Sequence, residues 1–236
     1  MSNLRIHPRN SEGHIVRVTP DSAGWAYVGF DLWKLKPGMR VVGSEIGRET
    51  CLVLISGRAD VSAGREDFGI LGQRMSPFEG KPWSVYVSGS DSWSVTAETD
   101  VTLAVCTAPG RGTIASRVIG PGGLHQETRG KGTNTRHVTN IIPEWDPAES
   151  LLVVEVITPG GCTSSYPPHK HDQDNLPHES LLEETYYHRI NPPQGFAFQR
   201  VYTDDRSLDE AMAVADHDVV MVPRGYHPVV APHGYD

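Results

Sequence analysis

The sequence predicts an all-β protein composed of two tandem β domains, with few and short helices. The 236-residue chain contains 24 glycines and 18 prolines spread along its length, which favours short strands joined by turns over a helical bundle. Short apolar runs alternate with polar residues at a period of two, and they recur at intervals of about ten residues, as in a sandwich or barrel. A polar, glycine-rich stretch divides the runs into two series.

Most of the predicted strands lie in the first half of the chain. These runs occupy residues 25–30, 50–55, 59–63, 83–87, 93–97 and 101–105. In the last three, apolar and polar residues alternate, as expected for strands with one buried face. We therefore assign residues 1–120 to an N-terminal β-barrel domain.

A linker and a second β domain follow. Residues 121–145 are polar and contain few aromatic residues, which predicts a connection rather than a core. The C-terminal barrel is assigned to residues 146–236, and its first strand, 151–157, is apolar enough to be buried. Its other predicted strands are 184–188, 195–202 and 218–222.

One helix is predicted in the C-terminal domain. Ser207 and Glu210 have the spacing of a capping box, in which a serine and a glutamate three residues later satisfy the first free N–H groups of a helix. The alanine-rich run that follows extends this helix to residue 214.

Composition excludes several classes of function. The net charge is −8 and no basic run occurs, so nucleic acid and anionic membranes are not expected partners. No apolar stretch reaches the roughly 20 residues of a membrane helix, and the first ten residues lack the apolar centre of a signal peptide. The cysteines, Cys51, Cys106 and Cys162, are too scattered for a disulfide framework or a zinc knuckle. We expect a cytoplasmic protein.

The pattern that indicates chemistry is His-x-His at His169 and His171, followed by Glu183-Glu184 and later by Pro-x-x-x-His ending at His227. On a strand, residues two apart point to the same face, so two imidazoles would lie side by side. A carboxylate and a third imidazole from later strands would complete the set. Three nitrogens and one oxygen suit a divalent ion such as zinc, iron, manganese or nickel.

This order of motifs resembles that of the cupin superfamily, and longer segments narrow the resemblance to the 5-deoxy-glucuronate isomerase family. In the second half these segments are Ser164-Ser-Tyr-Pro-Pro-His-Lys-His-Asp172, Leu182-Glu-Glu-Thr-Tyr-Tyr-His188, Gly195-Phe-Ala-Phe-Gln-Arg-Val-Tyr202 and Pro223-Arg-Gly-Tyr-His-Pro228. In the first half they are Thr19-Pro-Asp-Ser-Ala-Gly-Trp25, Arg48-Glu-Thr-Cys-Leu-Val-Leu54 and Arg129-Gly-Lys-Gly132 with Arg136. The resemblance covers nearly the whole chain, and it implies a double cupin of two jelly-roll barrels.

The resemblance also implies a reaction. The family converts 5-deoxy-D-glucuronate to 5-dehydro-2-deoxy-D-gluconate in myo-inositol catabolism, an aldose–ketose isomerisation, and is related to the 4-deoxy-L-threo-5-hexosulose-uronate ketol-isomerases of pectin degradation. It implies a bound divalent metal, with zinc the first choice and manganese, iron or nickel as alternatives. A small-molecule uronate substrate and a homo-oligomeric assembly are expected.

The implied metal ligands are His169, His171, Glu184 and His227. Only one of the adjacent carboxylates can face inward on a regular strand, and the family pattern of Glu-x-Tyr selects Glu184. On that strand His188 shares the face of Glu184, so it is a rival ligand, although polar packing is its expected role.

The catalytic base stays open between Glu183, Tyr186, Tyr226, a metal-bound hydroxide and a hydride shift that needs no base. The substrate carboxylate would suit an arginine, because guanidinium binds carboxylates through two parallel hydrogen bonds. The candidates for that role are Arg200, Arg224 and, with less support, Lys170.

The N-terminal domain repeats the cupin pattern without the metal ligands. Arg48-Glu49 resembles the latter part of the first motif, but residues 42–47 hold no histidine. We therefore expect a degenerate barrel that buries surface and contributes to a subunit interface. The sequence ends at Asp236, where the family pattern continues into one more strand, so the C-terminal barrel is expected to lack that strand or to be completed differently.

Three other functions are compatible with the ligand set. They are a 4-deoxy-5-keto-uronate isomerase, an Fe(II)-dependent cupin dioxygenase, and a sugar-binding cupin without catalytic activity. Only the wider resemblance disfavours the dioxygenase, whereas the intact ligands and the string Glu183-Glu-Thr-Tyr-Tyr187 disfavour a protein without catalytic activity.

Overall fold

The computed structural model describes residues 4–9 and 11–236, and it confirms the all-β prediction. The other residues of the polar N-terminal segment lie outside the described part of the chain. The first ten strands are β1 Arg5–Ile6, β2 Gly13–Val18, β3 Gly29–Leu35, β4 Arg40–Gly43, β5 Arg48–Ser56, β6 Ala59–Ala63, β7 Glu66–Leu71, β8 Trp83–Val87, β9 Trp93–Ala97 and β10 Val101–Pro109. The next ten are β11 Arg117–Ile119, β12 His125–Arg129, β13 Arg136–Ile142, β14 Val153–Ile157, β15 Thr163–Ser164, β16 Glu184–Tyr187, β17 Phe196–Tyr202, β18 Asp209–Ala215, β19 Val219–Val222 and β20 Val229–Val230.

In the part of the chain that the structure describes, helical structure is limited to single turns. One four-residue helix, α1, covers Pro20–Ala23, and its capping hydroxyl belongs to Thr19, which accepts a hydrogen bond from the Ser22 amide. Two 3₁₀ turns cover Pro121–Gly123 and Gly132–Asn134. Among the described residues, no helix has the length and apolar character needed to span a membrane.

The chain divides into two compact units. The N-terminal unit consists of Arg9–Gln126 with Thr139–Glu155, and the C-terminal unit consists of residues 4–8 with Glu127–Val138 and Val156–Asp236. Residues 4–8 therefore belong to the C-terminal unit, where β1 pairs with β19.

The N-terminal unit packs two sheets around an apolar core. A six-stranded sheet has the order β11-β8-β5-β10-β3-β2, and a four-stranded sheet has the order β4-β9-β6-β7. Strand β5 is buried along nearly its whole length because β8 and β10 flank it on both sides. Both sheets contribute aliphatic residues to the core, among them Val61 and Val95 from one sheet and Leu52 and Leu103 from the other.

The C-terminal unit has the same plan with smaller sheets. A three-stranded sheet, β1-β19-β16, and a four-stranded sheet, β15-β20-β17-β18, supply the core residues. In β17, burial alternates strictly, so Ala197, Gln199 and Val201 face the interior while Phe198 and Arg200 face outward.

Residues 121–145, which we expected to form a linker, contain two strands. β12 and β13 belong to a three-stranded sheet with the order β12-β13-β14. The last five residues of β13 are buried, among them Val138, Ile141 and Ile142. We expected a linker because the segment has few aromatic residues, but these aliphatic side chains are buried in place of aromatic ones. The expectation of a buried strand at 151–157 also fails in part, because Leu152, at 51% exposure, and alternate residues of β14 are exposed.

The predicted helix over 207–214 is wrong, because this segment forms β18. Met212 and Val214 are buried while their neighbours are more exposed, which is a period of two, and β18 pairs with β17 along its full length. The Ser207 hydroxyl does not cap a helix but donates to the Asp205 carboxylate in the preceding turn. The strand predicted at 25–30 is shorter than expected, because β3 begins only at Gly29.

A buried carboxylate anchors a distant segment to β5 in the N-terminal unit. The Glu49 side chain is fully buried, and one of its oxygens accepts hydrogen bonds from the Tyr86 hydroxyl (2.6 Å) and the Glu149 amide (2.8 Å). The other oxygen accepts from the amides of Ser150 and Leu151, each at 2.6 Å. Four donors thus compensate for the loss of water around this charge.

Replacing this carboxylate by an amide should therefore destabilise the fold. In Glu49→Gln, an NH₂ group replaces one of the two oxygens and faces two buried donors, with which it cannot form hydrogen bonds. We therefore expect the free energy of unfolding to decrease by about 3 kcal/mol. Urea denaturation measures this change. The matched control is Glu66→Gln, an exposed glutamate of β7, which should be neutral. Equal stabilities of the two variants would contradict the anchoring role of Glu49.

Candidate metal centre

Three imidazoles converge in the C-terminal unit. Within the described part of the chain, the group of potential metal-ligating residues consists of His169, His171 and His227, whose ligand atoms lie within 4.8 Å of one another. The ring centroids are 5.0 Å apart for His169 and His171, 4.8 Å for His169 and His227, and 5.6 Å for His171 and His227. The structure thus brings together the three histidines named from the sequence.

The first two histidines do not lie on a strand, contrary to our expectation. No ladder forms between the end of β15 at Ser164 and the start of β16 at Glu184. Pro167 and Pro168 have no N–H to give to a ladder, and Ser165 adopts a left-handed conformation with φ 49°. The segment is nevertheless extended enough for alternate residues to point the same way, and the His169 ring hydrogen-bonds the carbonyl of Pro167.

The third histidine follows a tight turn whose backbone permits only glycine. Gly225 has φ +89°, and a Cβ at this position would lie 2.5 Å from the Tyr202 carbonyl oxygen. The close approach arises because Tyr202 and Tyr226 exchange two backbone hydrogen bonds, of 2.9 and 2.8 Å. The turn delivers the His227 side chain into the interior of the unit, where it is completely buried.

The hydrogen bonding of His227 defines which nitrogen can bind a ligand. Its Nδ1–H donates to the Gly225 carbonyl at 2.9 Å. In the neutral ring, Nε2 then carries the lone pair, and this atom is buried without a hydrogen-bond partner among the described residues. An unpaired buried acceptor is costly unless something binds it. A metal-ligating histidine has this arrangement, with one nitrogen held by a carbonyl and the other aimed at the ion.

A carboxylate lies beside two of the three rings. Glu184 begins β16, and its Oε1 is 3.1 Å from His171 Nε2 and 3.8 Å from His227 Nε2. Of the adjacent pair, Glu184 is therefore the residue whose carboxylate contacts the histidines. The donor set of three imidazoles with a neighbouring carboxylate fits a borderline divalent ion.

Burial controls the protonation of two ligand candidates. Burial lowers the pKa of His169, and the neighbouring His227 and His171 lower it further. Burial also lowers the pKa of His171, although the Glu184 carboxylate acts in the opposite direction. Both shifts favour the neutral imidazole, which is the form that ligates a metal.

Tyr186 adjoins the cluster on the same face of β16 as Glu184. Its ring centroid is 5.7 Å from that of His227, and its hydroxyl is 3.1 Å from the Ser165 hydroxyl. Burial, followed by the charge of Glu184, raises the pKa of Tyr186 well above its usual value, and the two side chains are hydrogen-bonded. The phenol therefore keeps its proton.

Gln199 is a residue of the site that the sequence reasoning missed. Its side chain is buried, its Oε1 lies 2.9 Å from His188 Nε2, and its amide nitrogen lies 3.5 Å from the His227 carbonyl. His188 is thus held by Gln199 and is not part of the metal-type cluster. The sequence did contain a signal for this residue, because apolar residues alternate along β17 and Gln199 is the polar residue on the inward face.

The remaining candidates face away from the cluster or have other partners. Arg200 is exposed and forms a two-fold ion pair with Asp209, with both distances 2.8 Å. Lys170 pairs with Asp204 at 2.6 Å. Tyr226 stacks on Tyr202, and Arg224 forms a long hydrogen bond of 3.5 Å to Ser207. Glu183 precedes β16 and is half-buried.

These features define a class of protein. Two jelly-roll barrels in one chain, with a histidine cluster in the second, define a double cupin. The sequence profile of the KduI/IolB family matches residues 4–236, and the chain belongs to this family.

Individual relatives agree with this assignment. The chain is 57% identical over 239 residues to a 5-deoxy-glucuronate isomerase of Geobacillus kaustophilus, an alignment that covers 100% of this chain and 87% of the relative. A crystal structure of an IolB-like protein from Salmonella typhimurium superposes with a TM-score of 0.97 at 54% identity, covering 100% and 90% of the two chains. A Bacillus subtilis oxalate decarboxylase shares the fold, with a TM-score of 0.59 at 15% identity over 99% of this chain and 74% of that one.

The lowered pKa values predict how metal affinity depends on pH. We expect the zinc affinity to change little between pH 8 and about 6.5, the ordinary histidine pKa, and to fall below that range as protons compete for His169 and His171. Competition with a chromophoric chelator, corrected for the chelator's own protonation, measures this dependence. A tenfold fall between pH 8 and 7 would contradict neutral rings.

The same shifts act on the metal-free protein. The unfolded chain binds protons at the ordinary histidine pKa, whereas the folded chain binds them only at lower pH. The unfolded state then holds more protons, so the free energy of unfolding should decrease as the pH falls below about 6.5. Urea denaturation of chelator-treated protein at pH 7 and pH 5.5 checks the sign.

Proposed function

We propose that this chain is a metal-dependent aldose–ketose isomerase that converts 5-deoxy-D-glucuronate to 5-dehydro-2-deoxy-D-gluconate in myo-inositol catabolism. The observation that carries the proposal is the 57% identity to a 5-deoxy-glucuronate isomerase along the full length of this chain. The intact histidine cluster supports it. A cytoplasmic location and a homo-oligomeric assembly belong to the same proposal and rest on the sequence alone.

His169, His171 and His227 would hold the metal, with Glu184 as the fourth ligand. The unpaired, buried Nε2 of His227 and the close approach of Glu184 to two rings support this set. When bound, the ion acts as a Lewis acid that polarises the carbonyl and hydroxyl oxygens of a sugar. Zinc is our first choice, because imidazole and carboxylate ligands suit it, and manganese, iron and nickel are the alternatives.

Tyr186 is the best supported of the proposed catalytic residues. Its hydroxyl hydrogen-bonds Glu184, and its raised pKa keeps the proton on the phenol oxygen. Because that one proton is donated to the Glu184 carboxylate, Tyr186 would have to transfer the hydrogen bond from Glu184 to a substrate oxygen, and it would then act as a donor rather than as the base. Glu183 remains a candidate base, because it immediately precedes the ligand Glu184 and is half-buried.

Arg224 is the candidate for binding the carboxylate of the substrate. Arg200 and Lys170 each have an aspartate partner, so using either to bind a substrate would first break an ion pair. For Arg224, no ion pair is found in the described part of the chain, and the residue lies three positions before His227.

The reaction can be tested directly. Wild-type protein loaded with zinc should convert 5-deoxy-glucuronate under argon, and NMR measures this conversion. His227→Ala should lose both stoichiometric metal and activity. The control is His178→Ala, which removes an exposed loop histidine and should retain both. Full activity and full metal content in His227→Ala would refute the ligand assignment.

The outcome for the wild type also separates the alternatives. If the protein converts a 4-deoxy-5-keto-uronate and not 5-deoxy-glucuronate, its activity is that of the related 4-deoxy-5-keto-uronate isomerase. Oxygen consumption with ferrous iron would indicate a dioxygenase. Stoichiometric metal without turnover of either uronate would indicate a sugar-binding protein.

A second variant tests the role of Tyr186. Tyr186→Phe removes only the hydroxyl, and we expect kcat to fall by about 10²- to 10³-fold, the usual effect of removing one hydrogen-bond donor to a developing negative charge. Metal content should be unchanged. Tyr187→Phe is the matched control, because Tyr187 is the next residue of β16 and its hydroxyl bonds His217 at 2.6 Å instead. Equal kcat values for both variants would exclude a catalytic role for Tyr186.

A further inference from the structure

Alternate residues of the His-x-His segment have opposite surroundings. His169 and His171 take part in the cluster, whereas Lys170 and Asp172 contact the loops that surround His227. These second contacts connect the segment to the turn that carries the third histidine.

Asp172 is connected to His227 through one glycine. The Asp172 carboxylate accepts a hydrogen bond from the Gly225 amide at 2.5 Å, and the Gly225 carbonyl accepts one from His227 Nδ1–H at 2.9 Å. Two successive hydrogen bonds thus run from the residue after His171 to the ring of His227.

The glycine in this connection is held rigidly. The left-handed backbone of Gly225 and the paired hydrogen bonds of its neighbours fix both of its polar groups in direction. The backbone on the other side is fixed as well, because the Asp172 amide donates to the Glu179 carboxylate at 2.6 Å. The hydrogen bond between Asp172 and Gly225 therefore joins two ordered segments.

Lys170 supplies a second connection between the same segments. Its ammonium group lies 2.6 Å from the Asp204 carboxylate, and the hydroxyl of Tyr226 hydrogen-bonds this carboxylate too. Asp204 thus links the residue between the two first histidines to the residue before the third.

We propose that Asp172, assisted by Lys170 through Asp204, is a positioning residue that holds the His-x-His segment and His227 at the separation a metal ion requires. This inference rests on the proposed metal site. It assigns Lys170 and Tyr226 to the support of the site instead of to substrate binding or proton transfer.

Zinc affinity tests the role of Asp172. In full-length protein treated with chelator, Asp172→Ala should weaken Zn²⁺ binding by about 10- to 100-fold, the usual effect of removing a partner of a metal ligand. Asp172→Asn keeps an oxygen that accepts from Gly225, so its affinity should stay within about threefold of wild type, since a hydrogen-bond acceptor without charge suffices. The control is Asp174→Ala, an exposed aspartate in the same loop, which should bind Zn²⁺ like the wild type.

The outcomes separate this inference from the proposed metal site. Wild-type affinity in Asp172→Ala would overturn the positioning role, and so would an equal loss in Asp172→Asn and Asp172→Ala, because the charge and not the hydrogen bond would then matter. A wild type that binds no Zn²⁺ would overturn the metal site itself. Thermal unfolding of the chelator-treated variants checks that each is folded, and Asp172→Ser, whose shorter side chain also removes the hydrogen bond to Gly225, takes the place of the alanine variant if that one is not.

Lys170→Met distinguishes support from substrate binding. At saturating Zn²⁺ the KM for 5-deoxy-glucuronate should be unchanged, while the Zn²⁺ affinity should fall by at most about fivefold, as expected for loss of a partly exposed ion pair. A raised KM with unchanged Zn²⁺ affinity would assign Lys170 to the substrate and overturn its supporting role.

Discussion

The hydrogen bond from His227 Nδ1–H to the Gly225 carbonyl is the interaction on which the site depends. It fixes the ring and directs the unshared electron pair of Nε2 into a space where none of the described residues forms a hydrogen bond with it. That arrangement depends on a turn with φ +89° at Gly225, on the two hydrogen bonds between Tyr202 and Tyr226 that fix the turn, and on the imidazoles of His169 and His171 beside the ring. An unsatisfied buried acceptor would otherwise lower the stability of the fold.

The two units treat a buried polar group in opposite ways. In the N-terminal unit, Glu49 is as deeply buried as His227, but four donors satisfy its carboxylate. A fully satisfied group contributes to the fold and has no capacity left for a ligand. In the C-terminal unit, His227 retains one free acceptor. The two units thus share the plan of two packed sheets, but the buried Glu49 carboxylate has all its partners, whereas the buried His227 ring has one acceptor without a partner among the described residues.

The sequence predicts the parts of this structure that depend on regular alternation. Strands β6, β8 and β9 have the predicted bounds, because one face of each strand is apolar. The prediction fails where local propensity and the partner strand disagree: the alanine-rich segment after Ser207 becomes β18 because β17 offers a full set of backbone partners. Gln199 and Asp172 were missed because their roles depend on contacts with residues distant in the sequence, which periodicity does not encode.

The irregular backbone around His169 and His171 has a consequence for how the site is built. In a regular strand inside a sheet, the ladder uses every N–H and C=O, and this repeated pairing fixes the position of each residue. Here the rings come within 5.0 Å, and the backbone groups bond elsewhere, with the His171 carbonyl accepting from the Leu182 amide. Position is then set by a few individual bonds rather than by a cooperative ladder. Single substitutions at those bonds should therefore alter the site more than substitutions within the neighbouring strands.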